Sequence, residues 1–119
     1  MASEEIGRKV ELAWLMAFYG GMLTEKQRQV LTLHCEEDMS LGEIAQEAGI
    51  SRQGVHDQLT RAARRLFDME EKLGMAARFR RMEDGLTRCR EALRDKRYDD
   101  AEKTLDALMR LDQEDEHGL

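Results

Sequence analysis

The chain has 119 residues, no proline, 5% aromatic residues and a net charge of −6. No apolar run approaches the roughly 20 residues that a transmembrane helix needs, and no secretory signal pattern opens the chain, so we expect a cytoplasmic protein without a membrane contact. Good helix formers (Glu, Lys, Arg, Leu, Ala and Met) dominate the composition, which predicts an all-α fold.

The acidic total conceals an uneven distribution of charge. Residues 1–50 carry 4 basic against 9 acidic side chains, residues 51–97 carry 13 against 8, and residues 98–119 carry 2 against 8. An acidic total by itself argues against a nucleic-acid binder. The basic excess in the middle of the chain can nevertheless present a positive face.

The first predicted helix runs from a cap at Ser3 to about Tyr19. Helical spacing predicts an inner stripe of Ile6, Val10, Ala13, Trp14 and Ala17. The other faces are also largely apolar, which is typical of a helix that is deeply buried or covered by a partner. Contact with the following helices and contact with a second subunit both fit this pattern.

Two capping boxes indicate where the next helices begin. Thr24 is followed three residues later by Gln27, and Ser40 by Glu43. At this spacing, the side chain of each residue in a pair can accept a hydrogen bond from the free backbone N–H of the other residue. We therefore predict one helix that begins after Thr24 and another that begins after Ser40.

Residues 40–66 predict a helix-turn-helix. The helix after Ser40 ends at Gly49, which can adopt the positive φ of a sharp turn. Ser51 can then cap a second helix. Its predicted inner line is Val55, Leu59, Ala62 and Leu66. In a helix-turn-helix, the second helix enters a nucleic-acid groove.

The apolar spacing continues beyond the motif in steps of four and three to Leu73, breaks at Gly74 and resumes at Met75. We predict a helix that ends near Leu73 and a separate one from about Met75 to Arg94, with a single kinked helix as the alternative. The predicted apolar stripe of this later helix is Met75, Phe79, Met82, Leu86, Cys89 and Leu93.

A last amphipathic helix is predicted before an acidic tail. Its apolar positions are Tyr98, Ala101, Leu105, Leu108 and Leu111. The pattern divides the chain into a helix-turn-helix domain (1–74), a carboxy-terminal helical extension (75–111) and an acidic tail (112–119). We expect the extension either to fold back or to pair with a second chain.

The second helix of the motif supplies the candidate nucleic-acid contacts. Gln can form two hydrogen bonds with adenine and Arg two with guanine, and hydroxyl or further arginine side chains can contact phosphates. The candidate set is Ser51, Arg52, Gln53, His56, Thr60, Arg61, Arg64 and Arg65. The alternative is a solvated face on which Arg61 and Arg65 pair with acids such as Asp57.

The sequence gives little support for catalysis. Its three histidines lie at no metal-ligand spacing, and Cys35 and Cys89 are isolated from one another. No glycine-rich phosphate loop is present. We predict a protein that is not an enzyme, with no catalytic residue, no metal, no cofactor and no small-molecule substrate.

Residues 23–66 resemble the DNA-reading fourth region of bacterial sigma factors, at LT, the pair Gln27-Arg28, EIA, IS, Val55 and the arginine-rich helix. A more specific resemblance is carried by FYGGMLTEKQ, SLGEIA, SRQGV, Asp57 and the helix ending MEEKLG. This combination resembles the YlxM family of small bacterial helix-turn-helix proteins over about residues 14–74.

The YlxM resemblance implies an all-helical, sigma-like domain, commonly a homodimer, with an accessory role in the signal recognition particle pathway. The implied partners are the targeting GTPase Ffh and its RNA. Gly54 and His56 depart from the alanine and tyrosine expected there. The alternatives are a transcription regulator that binds duplex DNA through the second helix of the motif, and a dimeric scaffold whose motif binds only protein.

Overall fold

The computed structural model describes residues 8–117, with side chains described for residues 8–111. Within that span the chain is all α-helical and contains no strand, which confirms the predicted fold class. The elements are α1 (Lys9–Tyr19), a 3₁₀ turn (Gly20–Met22), α2 (Glu25–Cys35), α3 (Leu41–Ala48), α4 (Arg52–Leu73), α5 (Met75–Arg94) and α6 (Tyr98–His117). The described residues up to Ala76 pack as one compact unit, and those from Ala77 onward pack as a second.

The first helix differs from its prediction in both its start and its buried face. Arg8 is not helical and α1 begins at Lys9, while the predicted cap Ser3 and the predicted core residue Ile6 lie outside the described residues. Val10 was predicted to face inward but is 86% exposed. The buried residues are Leu12, Leu15 and Tyr19. Because nearly every face of α1 is apolar, periodicity could not identify the inner one.

The core of the first unit is built from α1 to α4. Both predicted capping boxes are present: the side chain of Thr24 caps the start of α2 with Gln27, and that of Ser40 caps the start of α3 with Glu43. The fully buried large side chains are Leu12, Tyr19, Val30, Leu31, Ile44, Val55, Leu59 and Leu66. These residues bring all four helices into one apolar cluster.

Gly74 separates α4 from α5, so the predicted pair of helices is confirmed over the single kinked helix. Its φ of 63° places it in the left-handed region, which favours glycine at the end of a helix. The first turn of α5 is held by two side chains: the Tyr19 hydroxyl accepts the Met75 N–H at 3.1 Å, and Glu70 Oε1 accepts the Ala76 N–H at 3.0 Å. Tyr19 also donates to Glu70 Oε1 at 2.6 Å.

In the second unit, the predicted inward residues Cys89, Ala101 and Leu108 are buried, but other parts of the predicted stripes are not. Leu86 and Leu93 were predicted to face inward on α5, but they are 53% and 51% exposed. The buried positions of this unit are Gly85, Cys89, Ala92, Ala101 and Leu108. A Cβ at position 85 would lie 2.4 Å from Leu108 Cδ2, so α5 and α6 contact each other largely through small residues. That close contact turns the larger side chains of α5 outward.

Candidate nucleic-acid interface

The turn of the helix-turn-helix is built around Gly49. With a φ of 70°, Gly49 ends α3 in the left-handed region, and its N–H and that of Ile50 donate to Ala45 O at 2.9 and 3.2 Å. Ser51 then caps α4 by accepting the Gly54 N–H at 2.9 Å. The sequence predicted this turn and this cap correctly.

Helix α4 is anchored by its inner face. Val55, Leu59, Ala62 and Leu66, the predicted apolar line, are fully buried. The preceding helix is braced at its carboxy end, where Lys26 Nζ donates to Ala48 O at 2.9 Å. The buried line fixes the rotation of α4 about its axis, so the polar residues on the opposite side face outward.

The outward side of α4 carries Gln53, Asp57, Arg61 and Arg64, all exposed. Their spacings of four, four and three residues align them along one face. Gln53 Nε2 donates to Asp57 Oδ1 at 3.1 Å. Neither Arg61 nor Arg64 forms an ion pair with any residue in 8–111, so the pairing of Arg61 with Asp57 that was predicted for a solvated face is absent from this part of the chain.

Arg52 and Arg65 extend the basic side chains beyond this face. Arg52 is exposed at the start of α4, and its guanidinium lies over Gly42, where a Cβ would be 3.7 Å from Nε. Arg65 is exposed too, and its Nε donates to the Met22 carbonyl oxygen at 3.2 Å. That bond connects α4 to the 3₁₀ turn, so Arg65 has a structural contact as well as an exposed charge.

Thr60 and His56 lie at the margin of the outward side and are both partly buried. The Thr60 hydroxyl is buried and has no hydrogen-bond partner among the described residues. A phosphate at the surface of α4 would not contact it in this arrangement. Gly54 has little room for a side chain, because a Cβ there would lie 3.1 Å from Ser51 Oγ.

A concavity of about 810 Å³ lies beside the start of α4. Arg52 and Ser51 line one part of it, and Gln46 of α3 lines another. Sequence reasoning missed Gln46, although its exposed polar position in the first helix of the motif was a signal. Together, these residues place hydrogen-bond donors on both helices of the motif around one surface.

The capping residue Glu43 also lines the concavity. Accepting the Ser40 N–H lowers the pKa of Glu43 at the start of α3, which keeps this capping residue ionised. Among the described residues, no group of three or more His, Cys, Asp or Glu side chains is placed to hold a metal ion. In that same part of the chain, no helix is both long and apolar enough to cross a membrane.

The chain is similar to a family of bacterial proteins over most of its length. Residues 6–108 match the family UPF0122, described as "Putative helix-turn-helix protein, YlxM / p13 like". A UPF0122 protein of Halalkalibacterium halodurans is 37% identical over 106 residues, which cover 89% of this chain and 92% of that protein. One from Bacillus pumilus is 35% identical over 88% and 96% of the two chains. One from Acetivibrio thermocellus is 49% identical over 58% of this chain and 59% of the other.

Proposed function

Since the chain belongs to the UPF0122 family of YlxM/p13-like helix-turn-helix proteins, we propose that it is a non-enzymatic accessory protein of the signal recognition particle pathway. It binds nucleic acid through the outward side of α4 and modulates the targeting GTPase Ffh or its RNA in the cytoplasm. It acts as a homodimer. The particle and its GTPase enter through the resemblance to the YlxM family, and the nucleic-acid contact is supported by the geometry of α4.

The observation that carries this proposal is the unpaired state of Arg61 and Arg64. Both guanidinium groups are exposed, lie on one side of a rigidly anchored helix, and have no ion-pair partner among residues 8–111. Arginine presents several donors in a planar fork that matches phosphate oxygens, so such a pair is suited to a nucleic-acid backbone.

The acidic total limits how the chain holds a nucleic acid. With a net charge of −6, the protein as a whole repels phosphate, and attraction depends on the local positive charges of α4. A-form RNA has a deep and narrow major groove that side chains cannot read, so RNA binding relies on phosphates and shape. Arginines on the outward side of α4 fit contact of this kind.

A second candidate function is the regulation of transcription through duplex DNA. The exposed Arg52 and Gln53 at the start of α4 favour it, because the first residues of a recognition helix contact base edges in the major groove. Gln53 Nε2 donates a hydrogen bond to Asp57 Oδ1. Gln53 would have to give up this exposed hydrogen bond to Asp57 before its amide could bond to adenine.

The test compares two double variants that remove the same charge from different surfaces. Arg61→Ala with Arg64→Ala removes the unpaired arginines, and Arg28→Ala with Lys72→Ala removes two other exposed cations. Binding to the particle's RNA and to duplex DNA is measured by fluorescence anisotropy across a salt series. We expect the first variant to weaken RNA binding about tenfold or more and to flatten the slope of log affinity against log salt by about two. The control should change both quantities less.

Equal losses in the two variants would contradict a role for the outward side of α4. Tighter binding of duplex DNA than of the particle's RNA, at the same salt concentration, would favour the second candidate. Absence of binding to either nucleic acid would leave the proposal without its mechanism.

A further inference from the structure

The second unit exposes large apolar side chains on both of its helices. They are Leu86 and Leu93 on α5 and Tyr98, Leu105 and Met109 on α6, and each is between 44% and 64% exposed. Among residues 77–111, the buried apolar cluster of the same unit consists of Cys89, Ala92 and Ala101. Soluble monomers rarely expose contiguous apolar patches of more than a few hundred Å², and larger ones mark interaction sites. The α5–α6 pair therefore has the character of an incomplete bundle.

These five side chains lie on one side of the helix pair. Leu86 and Leu93 are seven residues apart on α5, and Leu105 and Met109 are four apart on α6, so each set forms a single stripe. Each exposed stripe is rotated by less than a quarter turn about its helix axis from the buried stripe of the same helix. The rotation has the same direction in α5 and α6 when each helix is viewed from its amino end. Because α5 and α6 are antiparallel across a three-residue turn (95–97), both stripes turn toward the same side. We call this surface the apolar face.

The two edges of the apolar face carry opposite charges. Arg90 and Arg94 lie beside the stripe of α5, and Glu102 and Asp106 lie beside that of α6. All four are exposed, and none forms an ion pair with another residue in the described range 8–111. The apolar face therefore has a basic edge and an acidic edge, which makes it complementary to a copy of itself.

We propose that a second copy of this chain covers the apolar face, with α5 of each copy lying on α6 of the other. This inference rests on the homodimer in the proposed function and names the surface that forms it. A two-fold axis parallel to the helices brings the basic edge of each copy to the acidic edge of its partner. It also makes every neighbouring helix antiparallel, as in four-helix bundles. The other two-fold arrangement, α5 on α5, would oppose like charges.

Charge reversal tests both the surface and the pairing. One variant, R90E with R94E, makes the basic edge acidic, and a second, E102R with D106R, makes the acidic edge basic. In sedimentation equilibrium of the full chain, we expect the wild type to be a dimer and each variant alone to dissociate at least about tenfold more readily. An equimolar mixture of the two variants should form a heterodimer about as stable as the wild-type dimer, because every acidic edge then meets a basic edge. The control R28E with K72E changes the net charge as much as R90E with R94E does, and should remain dimeric.

Three outcomes would overturn the inference. The first is a wild type that sediments as a monomer at micromolar concentration. The second is a mixture that stays monomeric although each reversed variant is helical by circular dichroism. The third is a dimer that Val10→Lys on α1 dissociates and the reversals do not. The R61A/R64A variant lacks only charges on α4 and should remain dimeric. A failure of nucleic-acid binding is thereby separated from a failure of this interface.

Discussion

The two units of the chain bury different kinds of side chain. In the first unit, α1 to α4 enclose fully buried Leu, Ile, Val and Tyr residues from every helix. In the second, α5 and α6 meet through Gly85, Ala92 and Ala101 with Leu108 buried against Gly85, whereas Leu86, Leu93 and Leu105 are exposed. The stabilisation from burial scales with the apolar area that is removed from water. The buried core of the first unit therefore stabilises that unit by itself, whereas the second unit leaves much of its apolar surface exposed.

The largest expected effect comes from truncating the core of the first unit. Leu59→Ala removes a fully buried side chain and should lower the free energy of unfolding by about 3 kcal/mol, because a cavity adds to the lost transfer free energy. The matched change in the second unit, Leu93→Ala, should cost less than about 1 kcal/mol at dilutions where association is absent. Urea unfolding followed by far-ultraviolet circular dichroism, which reports the helices of both units, measures both. Similar losses in the two variants would remove the contrast between the units.

A smaller effect on the free energy of unfolding is expected at the junction between α4 and α5. Tyr19→Phe removes the hydroxyl that donates to Glu70 and accepts the Met75 N–H. The loss should be about 1–2 kcal/mol, because the Met75 N–H loses its acceptor in a partly buried site. Amide exchange should accelerate most at Met75 and Ala76. Unchanged exchange at those two amides would show that the hydroxyl does not hold the first turn of α5.

The smallest effect is expected at the start of α3. Ser40→Ala removes the hydroxyl that accepts the Glu43 N–H at 3.1 Å, and should cost about 1 kcal/mol in urea unfolding, as the loss of an N-cap usually does. The corresponding change at the start of α2, Thr24→Ala, is its matched control and should cost a similar amount.

The other half of that capping box should depend on pH. Bonds from Ser40 lower the pKa of Glu43 below its usual 4.5. The contribution of Glu43 is therefore present above that pH and is lost as the pH falls through the lowered pKa of the folded state. The stability difference between the wild type and Glu43→Gln should shrink on acidification. A difference that is constant from pH 7 to pH 3 would contradict this ionic contribution.

Local chemistry made much of the first unit predictable. The capping boxes at Thr24 and Ser40 and the left-handed glycines at 49 and 74 act over three or four residues, so the sequence alone identifies them. The inner line of α4 was equally predictable because its outward side is polar. The start and inner face of α1 were predicted wrongly, since an apolar pattern on all sides carries no information about direction.

The second unit was less predictable because its packing depends on close approach. Periodicity assigned Leu86 and Leu93 to the interior, but the contact between Gly85 and Leu108 brings the helices together along a different stripe. At the candidate site, the identity of the polar residues was evident from the sequence, whereas their accessibility was not. The Thr60 hydroxyl is buried and Arg65 is bonded to Met22, which only the packing of α4 reveals.

Helix α4 is a single rod of 22 residues, about 33 Å long at 1.5 Å per residue. Its amino half carries Arg61 and its last turns carry Glu70, with no break in the helical hydrogen bonding between them. The same continuous rod that presents Arg61 to solvent therefore also carries Glu70, whose Oε1 accepts both the Tyr19 hydroxyl and the Ala76 N–H at the first turn of α5.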